Sequence, residues 1–191
     1  QLEVSSANGC STEISDSVNV YEIPQVNFSV EDVCYGTTSE FTDESETFGE
    51  DEIVEWVWTF GNEDITFEQN PNYTYNSAGV HHVGLIISTE FCSSIFNSTT
   101  YVESIPEMTA FADNTEGCSP SLIHFEAQTN DDASVLWDFG DAQISHDLNN
   151  DHTYYNENGE ANTIVFSVSA TATSPLGCLA SDSLEISVLR S

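Results

Sequence analysis

Apolar and polar residues alternate along several short segments of the chain, and this period of two is typical of half-buried β-strands. The alternation predicts four inward-facing rows: Val54, Trp56, Trp58 and Phe60; Val83, Leu85 and Ile87; Val135, Trp137 and Phe139; and Val165 or Phe166 through Val168. Gly61 and Gly140 follow the aromatic rows, where a tight turn favours a residue without a Cβ. No segment has convincing helical periodicity, so we predict an all-β fold of antiparallel sandwiches. The cores should contain Trp56, Trp58, Phe60, Trp137 and Phe139.

The pattern occurs twice, with a period of about 80 residues. Residues 58–62 match 137–141, and residues 72–75 match 151–154, in both cases at an offset of 79. Such a period is too long for a solenoid turn and suits a string of small domains. We therefore predict a first repeat at 25–106 and a second repeat at 107–191. Residues 1–24 should be the end of a preceding repeat, with 15–24 as its closing strand.

The five cysteines follow the same period. Cys34 and Cys118 lie near the first strand of their repeats, whereas Cys92 and Cys178 lie just before the last strand. We therefore predict disulfides Cys34–Cys92 and Cys118–Cys178 and leave Cys10 unpaired. No Cys-x-x-Cys pair is present, which argues against a zinc or redox site. Disulfides would place the protein in an oxidising, extracellular environment.

The charge of the chain is strongly one-sided: Asp and Glu number 33 against one Lys or Arg, for a formal net charge of -32. Nucleic acid and anionic membrane surfaces are poor partners, because both require basic side chains to neutralise phosphate. No apolar run approaches the roughly 20 residues of a membrane-spanning helix. Hydrophobic residues still make up 39% of the chain, which is enough for folded cores.

Several motifs together resemble the PKD (polycystic kidney disease) domain. They are residues 137–141 (WDFGD), 152–154 (HTY) and 177–178 (GC) in the second repeat, and 58–62 (WTFGN) and 73–75 (YTY) in the first. The first repeat departs from the pattern at Thr59 and Asn62, where Asp is usual. Its opening residues 33–36 look like the version found in large Bacteroidetes surface proteins, including gliding-motility adhesins. The resemblance implies Ig-like sandwiches, an extracellular setting, a spacer or adhesive role, and a structural hydrogen bond for His152.

Calcium is the ligand that the acidic loops suggest, because it prefers carboxylate and carbonyl oxygens. The candidate ligands are Asp43, Glu44, Asp131, Asp132, Asp138 and Asp141. The alternative is that these residues simply form a solvated acidic surface, and no EF-hand spacing occurs. Catalytic motifs are absent, and the adjacent His81 and His82 should point to opposite faces of a strand. We therefore predict no enzyme activity, and no cofactor other than calcium.

Two kinds of carbohydrate chemistry are also suggested. Ser17 and Ser183 lie in Asp-Ser-apolar triplets that resemble Bacteroidetes O-glycosylation sites, although small polar residues also favour strand starts. Exposed tyrosines could bind sugars, and the candidates are Tyr35, Tyr73, Tyr101 and Tyr155. The alternative for these tyrosines is partial burial in strands.

These observations predict a structural function. The chain should belong to a stiff stalk or filament of a large secreted or cell-surface protein, with neighbouring repeats and other copies in a filament as its partners. The first alternative is an adhesion module that binds a surface polysaccharide or a protein. The second is a calcium-stabilised spacer of a secreted hydrolase.

Overall fold

The structure is a computed structural model that describes residues 1–18, 20–48, 51–130, 132–157 and 162–191. Within these ranges no residue is helical, so no helix has the length and apolar character for crossing a membrane. The first ten strands are β1 (Leu2–Ser5), β2 (Ser11–Ile14), β3 (Phe28–Val30), β4 (Val33–Cys34), β5 (Ser39–Asp43), β6 (Glu55–Thr59), β7 (Ile65–Thr66), β8 (Asn72–Tyr73), β9 (Gly79–Ser88) and β10 (Ser93–Glu103). The remaining strands are β11 (Met108–Ala112), β12 (Glu116–Cys118), β13 (Ser121–Thr129), β14 (Ser134–Asp138), β15 (Ile144–Ser145), β16 (Asn149–Tyr154), β17 (Thr163–Thr173) and β18 (Leu179–Leu189).

The chain divides into two compact units that interleave along the sequence. The first unit contains Gln1–Ser29, Phe41–Pro71 and His82–Ser98. The second unit contains Val30–Glu40, Asn72–His81 and Thr99–Ser191. Strands β3, β5, β9 and β10 therefore contribute residues to both units.

One strand topology occurs twice. The sheet order β4-β10-β9-β6-β7 has its counterpart in β12-β18-β17-β14-β15, and β3-β5-β8 has its counterpart in β11-β13-β16. Each label in the second set is eight higher than its equivalent in the first, so the sequence period corresponds to a repeated order of eight strands. Strands β1 and β2 form a separate antiparallel hairpin. The predicted all-β sandwich fold is confirmed.

In the second unit, the core lies between a three-stranded and a five-stranded sheet. Phe125 of β13 meets Trp137 of β14 at a ring-centroid distance of 5.4 Å, and Phe139 lies 5.4 Å from Phe125. The other buried members of this cluster are Ala110, Ile123, Ala127, Val135, Tyr154, Val168, Ala170, Ile186 and Val188. Side chains from both sheets interdigitate here, which is the packing of a β-sandwich.

In the first unit, Trp58 is fully buried and occupies the centre of an aromatic core. Its ring lies 5.0 Å from that of Phe28 and 5.5 Å from that of Phe41. The predicted inward residues that are buried in this unit are Trp58, Phe60, Val83, Leu85 and Ile87. The first unit is thus organised around Trp58 as the second is around Trp137.

Two residues of the first predicted row do not belong to a core, and the prediction for them was wrong. Val54 is 65% exposed, because β6 begins at Glu55 and Val54 precedes the strand. Trp56 is only half-buried, and its indole N–H donates a hydrogen bond of 2.7 Å to Asp43 Oδ2. Asp43, the last residue of β5, therefore holds the half-buried Trp56 by a polar contact.

The remaining strand predictions have mixed outcomes. Val135, Trp137 and Phe139 are buried as predicted. In β17, Phe166 and Val168 are the inward residues, whereas Val165 is 54% exposed. The prediction of a closing strand at 15–24 was wrong. Strand β2 ends at Ile14, because the antiparallel register with β1 ends at the pair Leu2 and Ile14.

A glycine after each aromatic strand adopts a left-handed backbone conformation, and we expect Gly140→Ala to destabilise the protein by about 3 kcal/mol. At Gly140, φ is +77°, and an added Cβ would lie 2.5 Å from the carbonyl oxygen of Ser167. The matched control is Gly177→Ala, where φ is +91° and no atom lies within 4 Å. The control should lose only about 1 kcal/mol, the cost of the left-handed conformation. Urea unfolding followed by tryptophan fluorescence measures both values, and equal losses would contradict the argument.

Candidate functional site: a disulfide beside a carboxylate

The short strand β4 runs parallel to the end of β10. Val33 pairs with Val102 and Cys34 pairs with Glu103. The backbone N–H of Tyr35 donates to the Glu103 carbonyl at 2.7 Å, which fixes the register just after the cysteine. Cys34 of the first repeat therefore lies beside the last residue of β10.

Cys178 lies in the tight turn between β17 and β18. The Ser174 N–H donates to the Cys178 carbonyl at 3.0 Å, and the Cys178 N–H donates to Ser174 Oγ at 3.0 Å. Gly177 has φ of +91° within this turn, a conformation that glycine adopts at low cost. The turn holds Cys178 almost completely buried, at 1% exposure.

Cys34 and Cys178 form a disulfide with a Cα–Cα distance of 5.6 Å, and both residues belong to the second compact unit. Glu103 Oε2 accepts hydrogen bonds from Ser174 Oγ and from the Leu176 N–H, the latter at 3.0 Å. The same oxygen lies 3.3 Å from Cys178 Sγ, which has no hydrogen to donate in a disulfide. Cys34 of β4 therefore holds the turn by a covalent bond, and Glu103 of β10 holds it by hydrogen bonds. We call Cys34, Cys178 and Glu103 the cysteine joint.

The predicted pairing Cys34–Cys92 was wrong, because the two cysteines lie at opposite ends of β10. Cys92 immediately precedes this strand of 11 residues, whereas Cys34 pairs with its last residue, Glu103. At about 3.3 Å per residue, the strand separates them by roughly 35 Å. A disulfide requires Cα atoms within about 7 Å.

The predicted pairing Cys118–Cys178 was wrong for the same reason. Cys118 of β12 pairs in parallel with Leu189 at the end of β18, while Cys178 precedes the start of β18. The free cysteines of the described chain are Cys10, Cys92 and Cys118. Exposure differs among them: Cys10 and Cys118 are exposed, and Cys92 is half-buried.

Several calcium candidates already accept hydrogen bonds from the protein. Asp43 accepts from the indole N–H of Trp56 and from the Ser45 N–H at 3.0 Å. Glu44 Oε2 accepts from Asn27 Nδ2 at 3.2 Å.

The other calcium candidates lie in loops of the second repeat. Asp138 Oδ1 accepts from the Gly140 N–H at 2.9 Å. Asp132 lies in a turn with φ of 69°, and Asp131 lies outside the described residues. Among the residues that the structure describes, no three His, Cys, Asp or Glu side chains are grouped to hold a metal. Calcium binding stays a prediction from the sequence.

Asp141 belongs to a buried motif in the second unit. Its Oδ2 accepts from His152 Nε2 at 2.8 Å, and the His152 ring stacks on Phe139 at 4.2 Å. Tyr154 donates from its hydroxyl to the Phe139 carbonyl at 3.0 Å. Burial, followed by the charges of Asp141 and Asp138, raises the pKa of Tyr154. His152 therefore has the structural hydrogen bond that was expected of it.

The adjacent histidines His81 and His82 have different surroundings. His81 Nε2 lies 2.9 Å from the Ser77 carbonyl, and its ring stacks on Tyr75 at 3.9 Å. Burial, followed by the charge of Tyr73, raises the pKa of Tyr75 to about 12. The next residue, His82, is exposed.

The serines of the two glycosylation triplets are both exposed. In each triplet the serine N–H donates to the preceding aspartate, at 2.9 Å in Ser17 and 2.8 Å in Ser183. Asp182 also accepts from the Ala110 N–H at 3.0 Å, so it has a structural role without any glycan. Glycosylation at Ser17 and Ser183 stays a prediction.

The tyrosines proposed for sugar binding divide into two groups. Tyr35, Tyr101 and Tyr155 are between 42% and 57% exposed. Tyr73 is half-buried and packs on Tyr75 with a centroid distance of 4.8 Å.

For the disulfide, we expect Cys178→Ser to abolish the bond and to make Cys34 available to a thiol-alkylating reagent. The bond closes a sequence separation of 144, which contributes about 5 kcal/mol in the chain-entropy description. Non-reducing peptide mapping and thermal unfolding measure the two effects. Cys118→Ser is the matched control, because Cys118 is exposed and unbonded. A Cys34–Cys92 peptide in the unmodified protein would contradict the structure.

For His124, we expect a pKa above the usual value of about 6.5. Its Nδ1 lies 2.7 Å from Asp151 Oδ1, and this hydrogen bond is the main cause of the increase. Because the pKa is higher in the folded state, the resulting stabilisation is present at acidic pH and is lost as the pH rises through that value. Asp151→Asn should lower the pKa in an NMR titration, whereas Asp147→Asn should not. An unchanged pKa in Asp151→Asn would contradict this assignment.

Comparisons with known proteins match part of the chain to one domain family. Residues 21–102 match the PKD domain family. Similar solved structures include the PKD1 domain of Vibrio anguillarum Epp, with 26% identity, a TM-score of 0.41, and coverage of 44% of this chain and 99% of that one. The PKD1 domain of the Vibrio cholerae metalloprotease PrtV has 24% identity, a TM-score of 0.39, and coverage of 43% and 99%. Fibronectin(III)-like modules of Clostridium thermocellum CbhA have 10% identity, a TM-score of 0.43, and coverage of 86% and 95%.

Among curated proteins, none matches this chain. PKD domains are extracellular structural or binding modules. The family match and the repeated sandwich topology support PKD or Ig-like domains in this chain.

Proposed function

We propose that the chain is a mechanical segment of an extracellular stalk or filament, built from PKD-like repeats at 25–106 and 107–191. Residues 1–24 would be the end of a preceding repeat. The larger protein would be a surface adhesin of the Bacteroidetes type that the opening residues of the first repeat resemble. Neighbouring repeats, and other copies within a filament, would be its partners.

The observation that carries this proposal is the disulfide of the cysteine joint. Its two sulfurs come from β4 of one repeat and from a hairpin turn of the next, 144 residues apart. A pulling force on the chain ends cannot extend the segment between Cys34 and Cys178 while this bond is intact. A protein that acts under load benefits from such a bond, because unfolded domains would otherwise lengthen the stalk.

The charge of the chain also supports this proposal. The net charge is -32, and the ion pairs His124–Asp151 and His152–Asp141 both depend on histidine. Excess charge of one sign keeps neighbouring molecules apart and soluble. Stalks of this charge that are crowded on a surface would therefore not associate laterally.

Sugar binding is the second candidate, and the exposure of Tyr35, Tyr101 and Tyr155 favours it. Tyrosines can stack on sugar rings with their apolar faces while the hydroxyl stays hydrated. Saturable binding of the chain to a glycan array, lost when these tyrosines are replaced by alanine, would establish it.

Single-molecule stretching tests the mechanical proposal. We expect the reduced chain to extend by about 500 Å more than the oxidised chain at full unfolding, since each of the 144 residues adds about 3.5 Å. Cys178→Ser should extend as far as the reduced protein under oxidising conditions. Cys118→Ser is the control and should behave like the unmodified oxidised chain. Equal extension with and without reductant would contradict a mechanical role for the bond.

A further inference from the structure

Three hairpin turns of the chain hold a cysteine in the same way. In each turn, a serine or threonine N–H donates to the cysteine carbonyl, and the cysteine N–H donates back to the hydroxyl oxygen. The pairs are Ser6 with Cys10 (2.7 and 3.2 Å), Thr89 with Cys92 (2.8 and 3.1 Å) and Ser174 with Cys178 (3.0 and 3.0 Å). Of these three cysteines, only Cys178 is bonded to another cysteine. The turns at Cys10 and Cys92 therefore hold their cysteines as the turn at Cys178 does in the cysteine joint.

The other half of the joint also occurs twice. Cys34 pairs in parallel with Glu103, and Cys118 pairs in parallel with Leu189. In both cases the residue after the cysteine donates its N–H to the carbonyl of that strand-end partner, at 2.7 Å from Tyr35 and 2.9 Å from Ser119. Cys118 is exposed, in a position equivalent to that of the bonded Cys34.

We propose that the Cys34–Cys178 bond is one link of a repeating series of disulfides. This inference rests on the proposed tandem array of repeats. In this series, the cysteine of the short parallel strand of each repeat (β4 or β12) bonds to the hairpin cysteine of the repeat that follows it. The partner of Cys118 is then the hairpin cysteine of a further copy of this repeat, placed after residue 191. Cys92 and Cys10 are hairpin cysteines. Their partners are the cysteines of earlier repeats that are equivalent to Cys34 and Cys118. Each repeat is thereby bonded to both neighbours.

The chemistry of each link is thiol–disulfide exchange. Two cysteine thiols lose two protons and two electrons and form one S–S bond. The electrons and protons pass to an oxidant of the disulfide class, such as oxidised glutathione or an oxidised dithiol enzyme, which is reduced to two thiols. An extracellular environment maintains such oxidants.

One residue differs between the two joints. Leu189 takes the place of Glu103, so the next joint lacks the carboxylate that accepts from Ser174 Oγ and the Leu176 N–H. The next joint nevertheless keeps both other features, namely the position of Cys118 in β12 and the hairpin turn. The proposed bond needs only these two features, because they set the places of the two sulfur atoms.

The test adds a repeat to the existing chain. Residues 1–191 are followed directly by a second copy of 106–191, because Leu189 is equivalent to Glu103 and Ser191 therefore precedes the next Pro106. In the added copy, Cys118→Ser leaves only the hairpin cysteine, and Leu179→Val gives its peptide a distinct mass. The protein is refolded with oxidised and reduced glutathione. It is then digested with a Glu- or Asp-specific protease under non-reducing conditions, since the chain has one Lys or Arg.

We expect a peptide that joins Cys118 to the added hairpin cysteine, together with the retained Cys34–Cys178 peptide. Two free thiols should remain in the extended chain, namely Cys10 and Cys92, against three in the unextended chain. The matched control is Cys118→Ser in the original part of the extended chain, which should leave the added cysteine alkylatable. A free Cys118, or an added cysteine that is bonded to Cys34 or Cys92, would overturn the proposal.

The outcomes also separate this inference from the proposed function. If Cys118 stays free while the Cys34–Cys178 bond still limits extension under force, the repeating series is wrong and the mechanical role stands. If both bonds form and the chain shows saturable glycan binding that is lost when Tyr35, Tyr101 and Tyr155 are replaced by alanine, sugar binding replaces the mechanical role and the repeating series stands.

Discussion

The parallel pairing of β4 with the end of β10 is the constraint on which the rest of this structure depends. It places Cys34 beside Glu103, at the opposite end of β10 from Cys92. If β4 were antiparallel to β10, the chain would run in the opposite direction there and Cys34 would lie at a different place along β10. The parallel pairing therefore makes a bond within the repeat impossible and leaves the hairpin of the following repeat as the partner.

The acidic residues have local structural roles that explain part of their abundance. Asp43 holds the indole of Trp56, Asp141 holds His152, and Glu103 holds the turn that ends at Cys178. Each side-chain carboxyl group accepts hydrogen bonds from N–H or O–H donors, for which no lysine or arginine is required. The chain can therefore stabilise loops and sheet edges while almost lacking lysine and arginine.

The alternation of apolar and polar residues predicted the cores well where the inner face of a strand packs against the opposite sheet. Trp58 and Trp137, at equivalent places of the two repeats, are both fully buried. The same alternation failed at Val54, since the period of apolar residues does not show where a strand begins. Trp56, which alternation also placed in the core, is only half-buried, because its indole N–H has a carboxyl partner in Asp43.

The sequence by itself determined the fold class, the period of about 80 residues and the place of each cysteine in the repeat, because alternation and spacing are local properties. It did not determine which cysteines bond. That outcome depends on strand direction and register, which bring Cys34 beside Glu103 and Cys118 beside Leu189. Only the tertiary structure could decide it, because residues 144 positions apart meet through the packing of whole strands.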